Sequence, residues 1–165
     1  RAWQRSLAAC DTPWARRNLA VLHGQAGEYD AAADLYVTAC RMRPSLLPLA
    51  AECGGALLDA GRPGQWLTLL DELPESIRGA GRIRLLAGQA ALAVGDFGAV
   101  ENLFADPPVV ADLREGELSL SQLWFEYHEQ GISVEEGVAV DDALRARVRR
   151  EFPVPQAIDF RMSVE

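Results

Sequence analysis

The sequence of 165 residues contains no lysine, only two histidines and three cysteines, and no long apolar run. All sixteen basic residues are arginine, and the 24 acidic residues give a formal net charge of −8 at pH 7. Because nucleic acids and acidic membrane surfaces attract clustered positive charge, this balance argues against both as partners. A membrane-spanning helix needs about 18 consecutive apolar residues, which the sequence lacks, so we expect no membrane association.

The few thiols and imidazoles offer little for metal or redox chemistry. Cys10, Cys40 and Cys53 are odd in number and lack the short spacing of a zinc site or a redox pair, so we expect inert thiols and a reducing, cytoplasmic environment. His23 and His128 are distant in sequence, and neither has a second His or Cys at metal-binding spacing. We therefore predict no metal and no cofactor.

Two pairs of carboxylates come closest to a catalytic pattern. Glycosidases place two carboxyl groups across a cleft. Glu72 and Glu75 are instead neighbours in sequence near an expected turn, and Asp141 with Asp142 lies at an expected helix start. His128, which lies among glutamates, lacks the second histidine of the metalloprotease pattern. We favour structural roles for these residues and predict that this chain is not an enzyme.

Three glycines recur at a fixed spacing. Gly27, Gly61 and Gly95 are separated by 34 residues. Each follows an apolar run and precedes a second run in which apolar residues recur every three or four positions, as on one face of a helix. The spacing predicts three helix–turn–helix units, none of which buries its apolar face without a neighbour.

The first unit carries the most complete pattern: a small residue within the first helix, an aromatic residue after the glycine turn, alanines and a second aromatic in the second helix, and a proline at the end. These are Ala20, Gly27, Tyr29, Ala32, Tyr36, Ala39 and Pro44. The pattern resembles the tetratricopeptide-repeat family, which the second and third units match less fully. The resemblance implies an all-α fold, namely a right-handed superhelix of antiparallel helix hairpins with a helical C-terminal cap and an extended tail.

The 34-residue frame divides the chain into six parts. Residues 1–12 are interpreted as the remnant of a preceding repeat, followed by repeats at 13–46, 47–80 and 81–106, the last of them short, a helical cap at 107–152 and an extended tail at 153–165. We predict helices at 13–26, 29–42, 46–60, 63–73, 81–94, 97–105, 119–130 and 141–152. Because the chain has no initiator Met, we interpret it as a piece of a longer protein, with a truncated N-terminal face that offers a dimer contact through Trp3 and Leu7.

One position in the second unit departs from the family pattern. Trp66 stands where the family prefers alanine, whereas the facing first helix carries Gly54 and Gly55. Protein interiors are close-packed and penalise both voids and excess volume. We therefore predict that the Trp66 indole lies over the backbone that these glycines leave open.

The C-terminal third carries helix-end signals. Ser119 and Gln122 have the spacing of a capping box, and Asp141 precedes Arg145 by four residues, the orientation favoured for a helical ion pair. Four arginines near the end of the last predicted helix form the strongest basic cluster. They could bind an anion, or they could complement the negative end of the helix dipole, and we favour the dipole interpretation. The cluster comprises Arg145, Arg147, Arg149 and Arg150.

The terminal third also resembles, loosely, the ends of large bacterial proteins in which a sugar-hydrolase-like part precedes tetratricopeptide repeats. Residues 114–117, 123–128 and 152–162 carry this resemblance. It implies an alternative function, as the C-terminal accessory region of a carbohydrate-active enzyme.

The remaining candidate site is the concave groove that the first helices line in this family. Family members that hold a peptide carboxylate use Lys, Arg and Asn there, and this chain retains Arg17 but has Val21 in place of an Asn. An apolar groove with a few arginines suits an extended acidic–apolar segment, including this chain's own tail, although Trp14 and Arg17 also suit packing against a preceding repeat. We predict a non-catalytic module that binds an extended segment or docks a neighbouring domain, through Trp14, Arg17, Asn18, Val21, Leu58, Arg82, Leu85 and Gln89.

Overall fold

A computed structural model describes residues 11–110 and 119–158. Within these residues the chain is helical and contains no strand, which confirms the predicted all-α class. None of the described helices is long and apolar enough to cross a membrane. The helices are α1 (Pro13–Gln25), α2 (Tyr29–Met42), α3 (Leu47–Asp59), α4 (Pro63–Leu70), α5 (Glu75–Arg78), α6 (Gly81–Ala93), α7 (Phe97–Ala105), α8 (Leu120–Glu136) and α9 (Asp142–Glu151).

The three glycines of the repeat form the same turn. Gly27, Gly61 and Gly95 have φ values of 77°, 67° and 79°, in the left-handed region that glycine adopts without steric cost. At each turn the glycine N–H donates to the carbonyl three residues back, and the next N–H donates to the carbonyl five residues back, at 2.8 to 3.0 Å. These are the two bonds of a Schellman cap. Each glycine thus reverses the chain after α1, α3 and α6.

The helices pack as successive hairpins. α1 contacts α2, α3 contacts α4, and α6 contacts α7. Between hairpins, α3 lies against α2, while α6 lies against both α3 and α4. Beyond the third hairpin, α8 contacts α6 and α7, and α9 packs on α8. Each hairpin therefore buries one side on its neighbour.

Ion pairs also connect neighbouring hairpins. Arg17 on α1 binds Glu52 on α3, and Arg41 on α2 binds Glu72 beyond α4, each through two hydrogen bonds of 2.5 to 2.8 Å. Arg62, in the turn before α4, reaches Asp34 on α2 at 2.8 Å. All three pairs are partly exposed, so each contributes only about 0 to 1 kcal/mol. Apolar burial between the hairpins is the larger contribution to stability.

The predicted packing of Trp66 is confirmed. Its side chain is fully buried, and a Cβ added at Gly54 would lie 2.9 Å from the Cε2 and Cζ2 atoms of the indole. The indole therefore occupies the space that a side chain at Gly54 would need. Gly55 plays no part in this contact, since a Cβ there would meet nothing within 4 Å.

The structure corrects several predicted helix bounds. The predicted helix 63–73 ends at Leu70, after which the Glu72 and Leu73 N–H groups donate to carbonyls three residues back, in tighter turns that lead to Pro74. The short helix α5, which the sequence analysis did not predict, follows Pro74 and buries Ile77. The helix predicted to end at residue 130 continues through Gly131 to Glu136, because Ile132 packs towards α9 and the left-handed cap is Gly137.

The C-terminal capping signals have two outcomes. Ser119 and Gln122 form the predicted capping box. The predicted pair of Asp141 and Arg145 is wrong. Asp141 accepts a hydrogen bond from the Leu144 N–H as the N-cap of α9, and Arg145 pairs with Asp142 at 3.0 Å instead.

The tail is extended only in part. Residues 153–155 have no regular structure, but residues 156–158 form a turn in which the Ile158 N–H donates to the Pro155 carbonyl. Ile158 is buried in the cluster formed by α6, α7 and α8, and its carbonyl accepts a hydrogen bond from Ser121. Burial of this one apolar side chain overrides the extended form expected from the prolines. Residues 159–165 lie outside the described residues, as do Trp3 and Leu7 of the predicted dimer contact.

Candidate functional site

A groove of about 1010 Å³ runs across one side of the hairpins. Its walls come from α1, α3 and α6, with the first half of α2 between α1 and α3. Small residues from all four helices leave the groove open, since a side chain at Gly24 or Gly55 would meet nothing within 4 Å. The small lining residues are Ala20, Gly24, Ala32, Ala51, Gly55, Ala56, Ala80 and Gly81.

Five of the eight predicted groove residues line this cavity, and three lie elsewhere. Trp14 is 55% exposed at the start of α1, away from the groove. Arg17 and Asn18 lie on the α1 face beside the groove, where Arg17 is held by Glu52. The residues that line the groove as predicted are Val21, Leu58, Arg82, Leu85 and Gln89.

Two aromatic lining residues were not predicted. Tyr29 and Tyr36 on α2 were identified only as aromatic positions of the repeat pattern, but both reach the groove. Seven residues separate them, so they lie on one face of α2. Tyr29 is 50% exposed, whereas Tyr36 is 8% exposed. The exposure of Tyr29 depends on the spacing between hairpins, which no residue pattern within one repeat encodes.

The ion pair of Arg17 with Glu52 sets the charge of the groove wall. The Arg17 Nε and Nη2 atoms donate to the two Glu52 carboxylate oxygens at 2.6 and 2.5 Å. The guanidinium is therefore engaged inside the molecule and is not presented to a carboxylate in the groove. Burial, and then the nearby Glu52 charge, raise the pKa of Tyr36 to about 12, so this phenol stays neutral and able to donate a hydrogen bond.

A segment of the chain itself closes one end of the groove. Residues 107–110 have no regular secondary structure, and Val109 and Val110 line the groove beside the start of α6. Gly81 makes this approach possible, because a Cβ there would lie 2.8 Å from the Val109 carbonyl carbon and closer still to its oxygen. The Arg84 guanidinium fixes the segment by donating to the carbonyl and the carboxylate of Asp106.

The other candidate residues have structural partners. Glu72 is bound by Arg41, which holds the pKa of the Glu72 carboxyl below its ordinary value. His23 lies against Glu28 at the end of α1. His128 stacks on Phe152 with ring centroids 4.0 Å apart, and burial lowers the pKa of its imidazole. No group of three potential ligands for a metal occurs in the described parts of the chain.

The cysteines within the described residues are buried. Cys40 on α2 and Cys53 on α3 are fully inaccessible members of the core between the first two hairpins. A hydrogen bond to Cys40 and burial together hold the pKa of the Cys53 thiol above its ordinary value. A protonated, inaccessible thiol is a poor nucleophile, in keeping with the inert role predicted. Cys10 lies outside the described residues.

The basic cluster of α9 is committed to contacts within the chain. Arg147 bridges Glu136 at the end of α8 and Glu151 in its own helix, at 2.8 to 3.1 Å. The Arg149 guanidinium lies 5.6 Å from the centre of the Phe125 ring, a cation–π distance. These contacts join α9 to α8 and leave the anion-binding interpretation without support.

No protein-family model matches the chain, and neither a curated protein nor a solved structure matches it.

Proposed function

We propose that the chain is a tetratricopeptide-like array whose groove binds an extended polypeptide segment. The architecture is supported by three Schellman turns at a spacing of 34 residues and by hairpins that pack each on the next. An array of this kind curves because each repeat is rotated slightly against its neighbour, which creates a concave binding surface. The segment comes from another protein or from another part of the same polypeptide.

The observation that carries the functional proposal is the groove itself. It is lined mainly by small and apolar residues of three successive hairpins, and an extended chain presents alternate side chains to such a surface. The groove already holds a segment without regular structure at its α6 end. With Glu52 neutralised by Arg17, the lining offers no pair of groups that would perform acid–base or nucleophilic chemistry. We therefore propose binding without catalysis.

Filling the groove tests this function. Gly55→Phe places a ring in the groove without entering the core. Gly131→Phe is the matched control: a Cβ at Gly131 also meets nothing within 4 Å, but Gly131 lies in α8 and does not line the groove. Peptides selected from a random library on the unaltered chain should lose binding to Gly55→Phe by at least about tenfold and keep it with Gly131→Phe. Equal binding to both variants, or failure to select any peptide, would refute the proposal.

A further inference from the structure

The segment at the α6 end of the groove indicates what the open part accepts. It reads Pro107, Pro108, Val109, Val110, and Pro108 is buried while the Val109 carbonyl lies against Gly81. Two consecutive prolines have φ fixed near −65° and disfavour helix at the residue before each of them, a restriction that favours the polyproline II form in a segment of this sequence. The groove therefore ends at a proline-containing apolar segment of the chain, whose Val109 and Val110 line it.

The open part of the groove carries the aromatic side chains that such strands bind. Polyproline II segments dock in aromatic-lined grooves, where proline rings pack on the aromatic faces. Tyr29 and Tyr36 lie on one face of α2 within the groove, and the Tyr29 ring is half exposed without an aromatic neighbour among the described residues. The small residues Gly24 and Gly55 leave room beside them. The Tyr29 ring, with small residues beside it, therefore suits a proline ring better than a bulky side chain.

We propose that the groove between α1 and α3 binds a proline-containing apolar segment in polyproline II form, with a proline packed on the half-exposed Tyr29 ring, beside the largely buried Tyr36. This inference rests on the proposed function and names the class of partner. Proline lowers the entropy lost on binding, because the unbound segment is already extended. It also revises the acidic–apolar partner expected from the sequence: Arg17 is bound to Glu52, the lining residues Asp59 and Arg82 carry opposite charges, and the chain as a whole has a formal net charge of −8. Acidic flanks therefore weaken binding.

A labelled synthetic peptide tests the proposal by fluorescence anisotropy. The peptide carries two copies of Pro-Pro-Val-Val between Gly-Ser flanks, and its controls replace the prolines by alanine or the flanks by aspartate. We expect the proline peptide to bind at least about tenfold more tightly than either control. Tyr29→Ala should weaken this binding by about tenfold, while Trp14→Ala should change it less than about twofold. Both side chains are about half exposed, so neither substitution disturbs the core, and only Tyr29 lines the groove.

The outcomes separate this inference from the proposed function. In one outcome, Gly55→Phe abolishes the binding of library-selected peptides that contain no proline, while the Pro-Pro-Val-Val peptide does not bind at all. In that case the groove function stands and the partner class is wrong. Binding of the proline peptide that is insensitive to Tyr29→Ala also overturns the inference. If no selected peptide binds, the proposed function itself fails.

Discussion

Two adjacent glycines of α3 provide a sharp test of how the hairpins pack. Gly54 and Gly55 both lie inside the helix Leu47–Asp59, so replacing either by alanine brings the same gain in helix propensity, about 1 kcal/mol. Their surroundings differ. A Cβ at Gly54 would lie 2.9 Å from two indole atoms of Trp66 and 3.1 Å from Leu86 Cδ1, whereas a Cβ at Gly55 would meet nothing within 4 Å.

The magnitude follows from this difference. Overpacking a filled core costs about 1 to 3 kcal/mol, and the Trp66 side chain that the added methyl group would meet is fully buried. Gly54→Ala should therefore be neutral or destabilise the chain by up to about 2 kcal/mol, once the propensity gain is subtracted. Gly55→Ala should stabilise it by up to about 1 kcal/mol. The two variants should differ in free energy of unfolding by about 1 to 3 kcal/mol.

Urea unfolding measures this difference directly, because the midpoint changes while the slope should not. The control is a double-mutant cycle that combines Gly54→Ala with Trp66→Leu. Because leucine is smaller than the indole, the overlap is relieved, and Gly54→Ala should cost little stability in the Trp66→Leu background. If Gly54→Ala and Gly55→Ala have equal midpoints, or if the penalty persists beside leucine, the proposed exchange of volume between glycine and indole is wrong.

Three further predictions concern the segment, the turns and the C-terminal cap. Gly81→Ala should displace Val109 and destabilise the chain by about 1 to 3 kcal/mol, with changes in NMR chemical shift centred on residues 107–110. Gly27→Ala should cost about 1 kcal/mol in thermal or urea unfolding, because φ there is 77°, and a similar penalty at residue 24 would contradict this reason. Burial lowers the pKa of His128 in the folded protein below its ordinary value of 6.5. The unfolded chain therefore binds a proton at this imidazole more readily than the folded chain, so stability is full above pH 6.5 and is lost as pH falls from 6.5 through the folded-state pKa. Since His128→Phe keeps the stack on Phe152, the loss of stability below pH 6.5 should become shallower in that variant, and an unchanged pH profile would refute the role of His128.

The features that the sequence predicted well are determined locally. A helix followed by glycine leaves little choice of turn, and the three glycines adopt the same conformation with the same two hydrogen bonds. The start of α1 is similarly local, since the Thr12 hydroxyl accepts from the Ala15 N–H just before Pro13. The position of Trp66 was predictable because a large side chain stands where the repeat pattern has alanine, while the facing helix of the same repeat has glycine at position 54.

The features that were missed depend on contacts between distant residues. α8 was expected to stop near Gly131, but Ile132 gains burial against α9, and that gain exceeds the cost of one glycine in a helix. The Ile158 side chain similarly draws the tail into the core formed by α6, α7 and α8. Neither partner is recognisable from the local sequence, because each lies on an element whose position is fixed only by the whole fold.

The groove combines both kinds of information. Val21 and Gln89, two repeats apart, both line the groove because the helical period and the repeat fix which face they share. Arg17 does not line the groove, and its guanidinium instead binds the Glu52 carboxylate on the next hairpin. A repeat pattern therefore predicts where Cβ atoms point but not which charges remain available to a ligand.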